Sequence, residues 1–350
     1  MNIIDDAAVG PYERVVHAED PRSGLRAIVA VHSTALGPAV GGTRFHPYAC
    51  EASATIDALR LAEGMTLKAA AAGLDLGGGK AVILGDPEQL RSPELWRAYA
   101  EVVDLFGGWY HTAEDVGTTP ADMAALRAHT RFVLGLPGEA GGWDGDPSPY
   151  TARGVLAAMR AVWEHETGEP GLAGARVVVE GAGKVGAALA LLLAAEGALV
   201  MVSDIRADRA IAVAARAGGR ALDPAIARVQ PCDILAPCAM GGGLTRASAP
   251  RLRCRWVVGS ANNQLSDDGV AEALRDLGIG YVPDFVANAG GLICVAQELD
   301  GWDPCRAGAA ADRIGDVVRE LIAAVDAGGG TLLEAAHRRA AERLAPAGVR

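Results

Sequence analysis

The stretch VVVEGAGKVGAALALLL, residues 177–193, decides the fold. A β-branched run enters glycines at Gly181, Gly183 and Gly186, and an Ala/Leu-rich helical pattern follows them. G-x-G-x-x-G at a strand-to-helix junction marks a dinucleotide-binding turn. Gly181 makes the tight turn, Gly183 lets a pyrophosphate approach the backbone, and Gly186 lets the helix pack closely on the strand. The helix start offers free N–H groups and the positive end of its dipole to the phosphates. Glu180, Ala182, Lys184 and Val185 complete the expected cofactor loop. The next strand pattern, ALVMVSD, ends on Asp204, eighteen residues past Gly186, where an acid meets the adenosine ribose hydroxyls. A carboxylate there repels a 2′-phosphate, so NAD is expected over NADP. Arg206 is the competing signal, since an arginine near this point accommodates that phosphate.

Outward from this turn, the short apolar runs CDILAP, RWVVGSA and GIGYVPDF alternate with helical segments to about residue 327. That alternation predicts an α/β, doubly wound parallel sheet. Upstream, GLRAIVAVHST (24–34) is strand-like and KAVILG (80–85) is a short buried strand by length and branching. Between them, residues 51–73 have helical spacing closed by Gly73, with Met65 and Lys68 three apart on one face. LPGEAGGWDGDPSPY (136–150) reads as a loop or interdomain hinge, and helix resumes at Thr151. The last twenty residues form an amphipathic helix. At 350 residues the chain is long enough for two domains with separate cores.

The formal net charge of -11 argues against nucleic acid or an anionic membrane surface as the main partner. No apolar run reaches the roughly 18 residues of a membrane span. Asp5 and Asp6 stand where a signal peptide would be basic and then apolar, so a cytoplasmic protein is expected. The six cysteines (Cys50, Cys232, Cys238, Cys254, Cys294, Cys305) contain no C-x-x-C pair, and the seven histidines show no ligand spacing. No disulfide framework and no metal are expected. Of 32 basic residues only Lys68, Lys80 and Lys184 are lysines. Arginine cannot lose its proton, so a retained lysine points to a place that needs an amine able to do so. The Gly-rich GLDLGGGKAV (73–82) is not a phosphate-cradling loop, because its first glycine position is Leu74 and Ala81 follows the lysine.

The segments GPAVGGTRFHP (37–47), GMTLKAAAAGLDLGGGKAV (64–82), HTAEDVGTTPADM (111–123), GSANNQL (259–265) and PDFVANAGG (283–291), with the glycine turn, resemble the glutamate/leucine/phenylalanine/valine dehydrogenases. The resemblance covers nearly the whole chain in order. It implies an N-terminal α/β substrate and oligomerisation domain over 1–135, with the C-terminal helix 331–350 packing back on it. It further implies a Rossmann-type NAD-binding domain over 151–330, a cleft between the two, and a homo-oligomer. The implied reaction is reversible, NAD-dependent oxidative deamination of an L-amino acid to its 2-oxo acid and ammonia.

Carried over residue by residue, Lys80 becomes the catalytic lysine, Asp115 its acid/base partner, and Lys68 the clamp on the substrate carboxylate. Gly41, Gly42 and Met65 line the substrate. Thr151, Asn262 and Asn288 match positions at the nicotinamide and substrate end. A neutral Lys80 amine can activate water if its pKa falls from ~10.4 towards ~7–8. Lys68 as a second cation and a glycine-lined, water-poor crevice are the expected sources of that shift. Asp115 also fits a helix or turn cap, and both asparagines fit turns. Glutamate-specific members carry lysine immediately before the Gly-Gly, whereas this chain has Val40. An ionised side-chain carboxylate buried there without a partner would cost several kcal/mol. The expected pocket is therefore apolar, made by Val40, Ala113, Leu292 and Val295, and suited to Leu, Val or Ile. Phenylalanine is the alternative substrate. A non-catalytic NAD-binding subunit is the rival from another class, and it predicts NADH binding without amino-acid-dependent NAD reduction.

Overall fold

The computed structural model describes residues 1–136 and 145–345. The chain forms two compact α/β units: Met1–Asp146 with Glu298–Trp302 and Ala340–Arg350, and Pro147–Gln297 with Asp303–Arg339. The expected hinge at 136–150 falls mainly on residues 137–144, which lie outside the described residues, as do residues 346–350 of the expected terminal helix. That helix spans Leu332–Leu344.

The first unit is built on a mixed sheet. Its strands are β1 (Asn2–Val9), β2 (Tyr12–Asp20), β3 (Leu25–Ser33), β4 (Ala39–Val40), β5 (Thr43–His46), β6 (Gly77–Leu84) and β7 (Tyr110–His111). They lie in the order β1-β2-β3-β6-β4-β7, with β5 also on β6. The first three strands and β6 pair antiparallel, while β4 and β5 run parallel to β6. All eight residues of β6 are buried, which makes it the central strand. One sheet face packs on helices Pro93–Asp104 and Pro120–Arg127 through Phe45, Trp96, Tyr99, Met123 and Leu126. Ser92 and Thr119 cap those helices by accepting from the N–H groups of Leu95 and Asp122. The other face packs on helix α1 (Glu51–Ala71), where Ala54, Ala58 and Ala62 meet Ile28, Val82 and Leu84.

The strand begins three residues earlier than its sequence pattern shows, because Gly77, Gly78 and Gly79 belong to β6. A Cβ on Gly78 would lie 2.1 Å from the backbone nitrogen of Thr66 in α1. On Gly79 it would lie 2.7 Å from the Tyr110 ring, and on Gly77 2.0 Å from the Ser33 carbonyl. These glycines therefore let helix, ring and neighbouring strand close on β6. The atoms that close on these three glycines are the protein's own.

The second unit carries β8 (Arg176–Glu180), β9 (Leu199–Ser203), β10 (Arg220–Leu222), β11 (Ile234–Pro237), β12 (Trp256–Val257) and β13 (Gly280–Tyr281). Every pairing is parallel, in the order β10-β9-β8-β11-β12-β13. The order reverses between β8 and β11. Ligands bind such sheets beyond the carboxyl ends of the strands at this switch point. The glycine turn sits there, between β8 and helix Lys184–Ala195. Among the described residues, no helix is long and apolar enough to cross a membrane.

Candidate active site

The turn at the end of β8 is shaped by contacts that exclude side chains. A Cβ on Gly186 would lie 1.9 Å from the Gly181 carbonyl, so the helix can approach the turn only as glycine. Gly181 has φ +111°, and a Cβ there would meet the Cys238 backbone at 2.8 Å. Gly183 differs. It is the N-cap of the helix, it is exposed, and a Cβ on it would meet nothing within 4 Å. Open space in front of a helix N-terminus of twelve residues is where an anionic group fits.

Asp204 follows β9. Its Oδ2 accepts from the N–H of Ala182 at 2.7 Å and its Oδ1 from the N–H of Arg206 at 2.8 Å. The carboxylate is thereby anchored to the glycine turn. The Arg206 guanidinium bonds Asp208 at 2.8 Å, so its charge is compensated by its own neighbour. Glu180 accepts the Nε of Arg228 on both oxygens, at 2.9 and 3.0 Å. Its side chain is thus committed within the protein. Lys184 and Val185 open the helix.

Further along the same unit, the Nδ2 of Asn288 donates to Oδ1 of Asn262 at 2.8 Å and to the Ser260 carbonyl at 3.2 Å. Asn288 is buried, and its own Oδ1 has no hydrogen-bond partner among the described residues. A buried, unpaired amide oxygen is costly unless a ligand or water completes it. Helix Gly290–Ala296 carries Leu292 and Val295, three apart on one face. Its start packs on Thr151, since a Cβ on Gly291 would lie 2.7 Å from the Thr151 Oγ1. The structure therefore places Thr151, Asn262, Asn288, Leu292 and Val295 all in the second unit.

Lys80 lies in the first unit at the centre of β6. It pairs in register with Ala30, whose side chain packs with α1, so Lys80 leaves the sheet on the α1 face. The residue is 6% exposed, and its Nζ lies 2.9 Å from Oδ2 of Asp115. Asp115 comes from the loop after β7, where Thr118 Oγ1 accepts its N–H at 2.9 Å. That loop reaches β5 because Gly42 has no side chain: a Cβ there would lie 2.7 Å from the Glu114 carbonyl and 2.8 Å from the Asp115 Cβ. Gly41 is held by the Tyr110 hydroxyl, which donates to its carbonyl at 2.7 Å. Lys68 and Met65 are half-buried on α1. Val40 pairs with Gly78 on β6 and is 2% exposed, whereas Ala113 is half-buried.

Burial pushes the Lys80 pKa down; Asp115 and its hydrogen bond pull it back up, Arg44 pushes it down and Asp57 pulls it up. The net direction is down. For Asp115, burial alone would raise the carboxyl, but Lys80 and Arg44 outweigh it and hold it below the ordinary carboxylate value. The second cation at the pair is therefore Arg44, where the sequence pointed to Lys68. Arg44 donates from Nε to Asp115 Oδ2 at 3.1 Å and from Nη1 to Asp57 Oδ2 at 2.8 Å. The hydroxyl of Tyr48 donates to the same Asp57 oxygen at 2.7 Å. Arg44, Asp57 and Tyr48 were not legible as site residues; the one signal was the position of Arg44 two residues past the Gly-Gly.

A parallel sheet with a glycine turn at its switch point has the form of a nucleotide-binding fold, and the other unit carries a buried lysine–aspartate pair. The family described as "Glu/Leu/Phe/Val dehydrogenase, dimerisation domain" matches residues 12–132, and "Glutamate/Leucine/Phenylalanine/Valine dehydrogenase" matches residues 209–347. Valine dehydrogenase of Streptomyces coelicolor is 48% identical over 97% of this chain and 93% of its own length. Leucine dehydrogenase of Bacillus cereus is 43% identical over 95% of this chain and 91% of its own. Among solved structures, L-tryptophan dehydrogenase from Nostoc punctiforme superposes with a TM-score of 0.86 at 36% identity, covering 97% of both chains. The chain belongs to the Glu/Leu/Phe/Val dehydrogenase family.

Proposed function

We propose that this chain catalyses the reversible oxidative deamination of a branched-chain L-amino acid, with NAD, to the 2-oxo acid and ammonia. Relatives named valine and leucine dehydrogenase, 42–48% identical, support that choice of substrate. The observation that carries the chemistry is the buried Lys80 amine, 2.9 Å from Asp115. NAD, when bound, supplies the acceptor for the hydride that leaves Cα. Asp115 takes a proton from the substrate ammonium, freeing the nitrogen lone pair that drives the hydride off. Lys80, with its pKa lowered by burial, takes a proton from water as that water adds to the iminium carbon. Asp115 then returns its proton to the carbinolamine nitrogen and, as a carboxylate again, takes the hydroxyl proton while the C–N bond breaks, so that the 2-oxo acid and ammonia leave.

Lys68 is assigned to the substrate α-carboxylate, with Gly41, Gly42 and Met65 beside it. Val40, Ala113, Leu292 and Val295 are assigned to the apolar side chain. The first unit thus handles substrate, and the second holds the cofactor at residues 180–186, Asp204, Thr151, Asn262 and Asn288. Compensation of Arg206 by Asp208 supports NAD over NADP. A cytoplasmic homo-oligomer assembled through the first unit completes the proposal. The matched description of residues 12–132 as a dimerisation domain supports the assembly.

Initial rates of NAD reduction on a panel of Val, Leu, Ile, Phe and Glu test this directly. Fastest turnover is expected on a branched-chain member, with glutamate slowest. Fastest turnover on phenylalanine would select the aromatic alternative, and on glutamate would overturn the apolar pocket. NADH binding with no turnover of any amino acid would leave the non-catalytic subunit.

A further inference from the structure

Arg44 has no role in the motif that contains it, yet it ties three segments together around Lys80. It pairs in register with Val82, two residues past Lys80 on β6, and so leaves the sheet on the same α1 face. Its guanidinium reaches Asp57 on α1 at 2.8 Å and Asp115 on the loop after β7 at 3.1 Å. The Asp115 oxygen it bonds is the one that lies 2.9 Å from the Lys80 Nζ. We infer that Arg44 is a positioning residue for the Lys80–Asp115 pair: it shares the oxygen on which Lys80 leans, ties that carboxylate to Asp57 on α1, and weakens the hold on the Lys80 proton. The purpose of this arrangement rests on the deamination reading above.

The charge count explains the effect. Lys80 and Arg44 face Asp115 and Asp57, so the cluster is balanced while Lys80 is protonated. Without Arg44, one ammonium would face two carboxylates and keep its proton to higher pH. The charged groups that act on Lys80 are Asp115 on the loop after β7, Arg44 on β5 and Asp57 on α1. β3 places the uncharged Ala30 opposite it. Direction follows the geometry, since Arg44 acts on Lys80 against Asp115 and Asp57. A planar fork can bridge two carboxylates from different elements at once, which a lysine's point charge does poorly. Tyr48 keeps the far end of the bridge in place by bonding the same Asp57 oxygen.

With only three lysines in the chain, NMR of the full-length protein labelled with ε-13C lysine gives three side-chain signals. Lys80→Arg identifies the signal of Lys80 by its loss. In Arg44→Gln the Lys80 signal should titrate at higher pH than in the unaltered protein, and Arg44→Lys, which keeps the cation without the fork and adds a fourth signal, should bring it part of the way back. Arg44→Met gives the same reading if the glutamine variant folds poorly. The acid limb of kcat/KM should move upward with the signal. An unchanged or lower Lys80 midpoint in the neutral variants overturns the inference, as does an Arg44→Lys midpoint no lower than that of Arg44→Gln. If the unaltered protein turns over no amino acid, the deamination reading fails while the titration still decides the role of Arg44.

Discussion

The glycine turn of the second unit and the glycines around Lys80 use the same residue for opposite ends. At Gly183 the missing side chain leaves space that the protein does not fill. At Gly42, Gly78 and Gly79 it is replaced at once by protein: the Asp115 loop, the α1 backbone and the Tyr110 ring. The first kind leaves the start of a helix open in front of its backbone N–H groups. The second kind brings charged side chains from distant segments within bonding distance of one another. A glycine next to a functional residue is therefore no sign of a ligand until the volume in front of it is known.

Three substitutions test that contrast, and Lys80→Met should have the largest effect. Loss of the amine should lower kcat by more than about 10³-fold, the upper part of what a positioned proton-transfer group contributes. Stability should move the other way. The folded-state pKa of Lys80 lies below its unfolded value, so the unfolded chain binds more protons in the interval between them. The stability penalty is therefore fully present below the folded value and disappears as pH rises through it towards ~10.4. Lys80→Met should unfold at an equal or higher temperature at pH 7 and lose that slope; a clear fall in Tm would show that the ion pair outweighs the burial. Gly42→Ala comes next. Its methyl group must displace the Asp115 loop, so kcat should fall about 100-fold, as for a misplacement near 1 Å, with a lowered Tm. Activity near the original would mean the loop yields without moving the carboxylate. The smallest effect is expected for Gly183→Ala, whose methyl group meets no protein atom. Its Tm should be unchanged while the Kd for NADH rises about tenfold, or ~1.4 kcal/mol. Unchanged NADH binding, measured by fluorescence, would remove Gly183 from the cofactor site.

The second unit was largely legible because its signals are local. A β-branched run, three spaced glycines and an acid at the next strand end all fall within residues 177–204, and the parallel order follows from alternation. The Lys80 strand was legible only from Lys80 onward. Glycine is a poor strand former, and its presence at 77–79 is explained by contacts with Ser33, Thr66 and Tyr110 that no local pattern reveals. Lys80 stood out through the scarcity of lysine. Arg44 could not stand out in the same way, as one of many arginines whose partner lies 71 residues away in the chain. Asp57 and Tyr48 read as helix surface and loop until the fold joins them.

One contact fixes more than packing. The nitrogen of Thr66 and the position of Gly78 touch main chain to main chain, and Lys68 and Lys80 each stand two residues beyond that point. The offset of helix α1 along strand β6 is thus a main-chain quantity, which no exchange of neighbouring side chains resets. Even one methyl group at position 78 would have to lift the helix from the strand, and with it the point from which the Lys68 side chain starts.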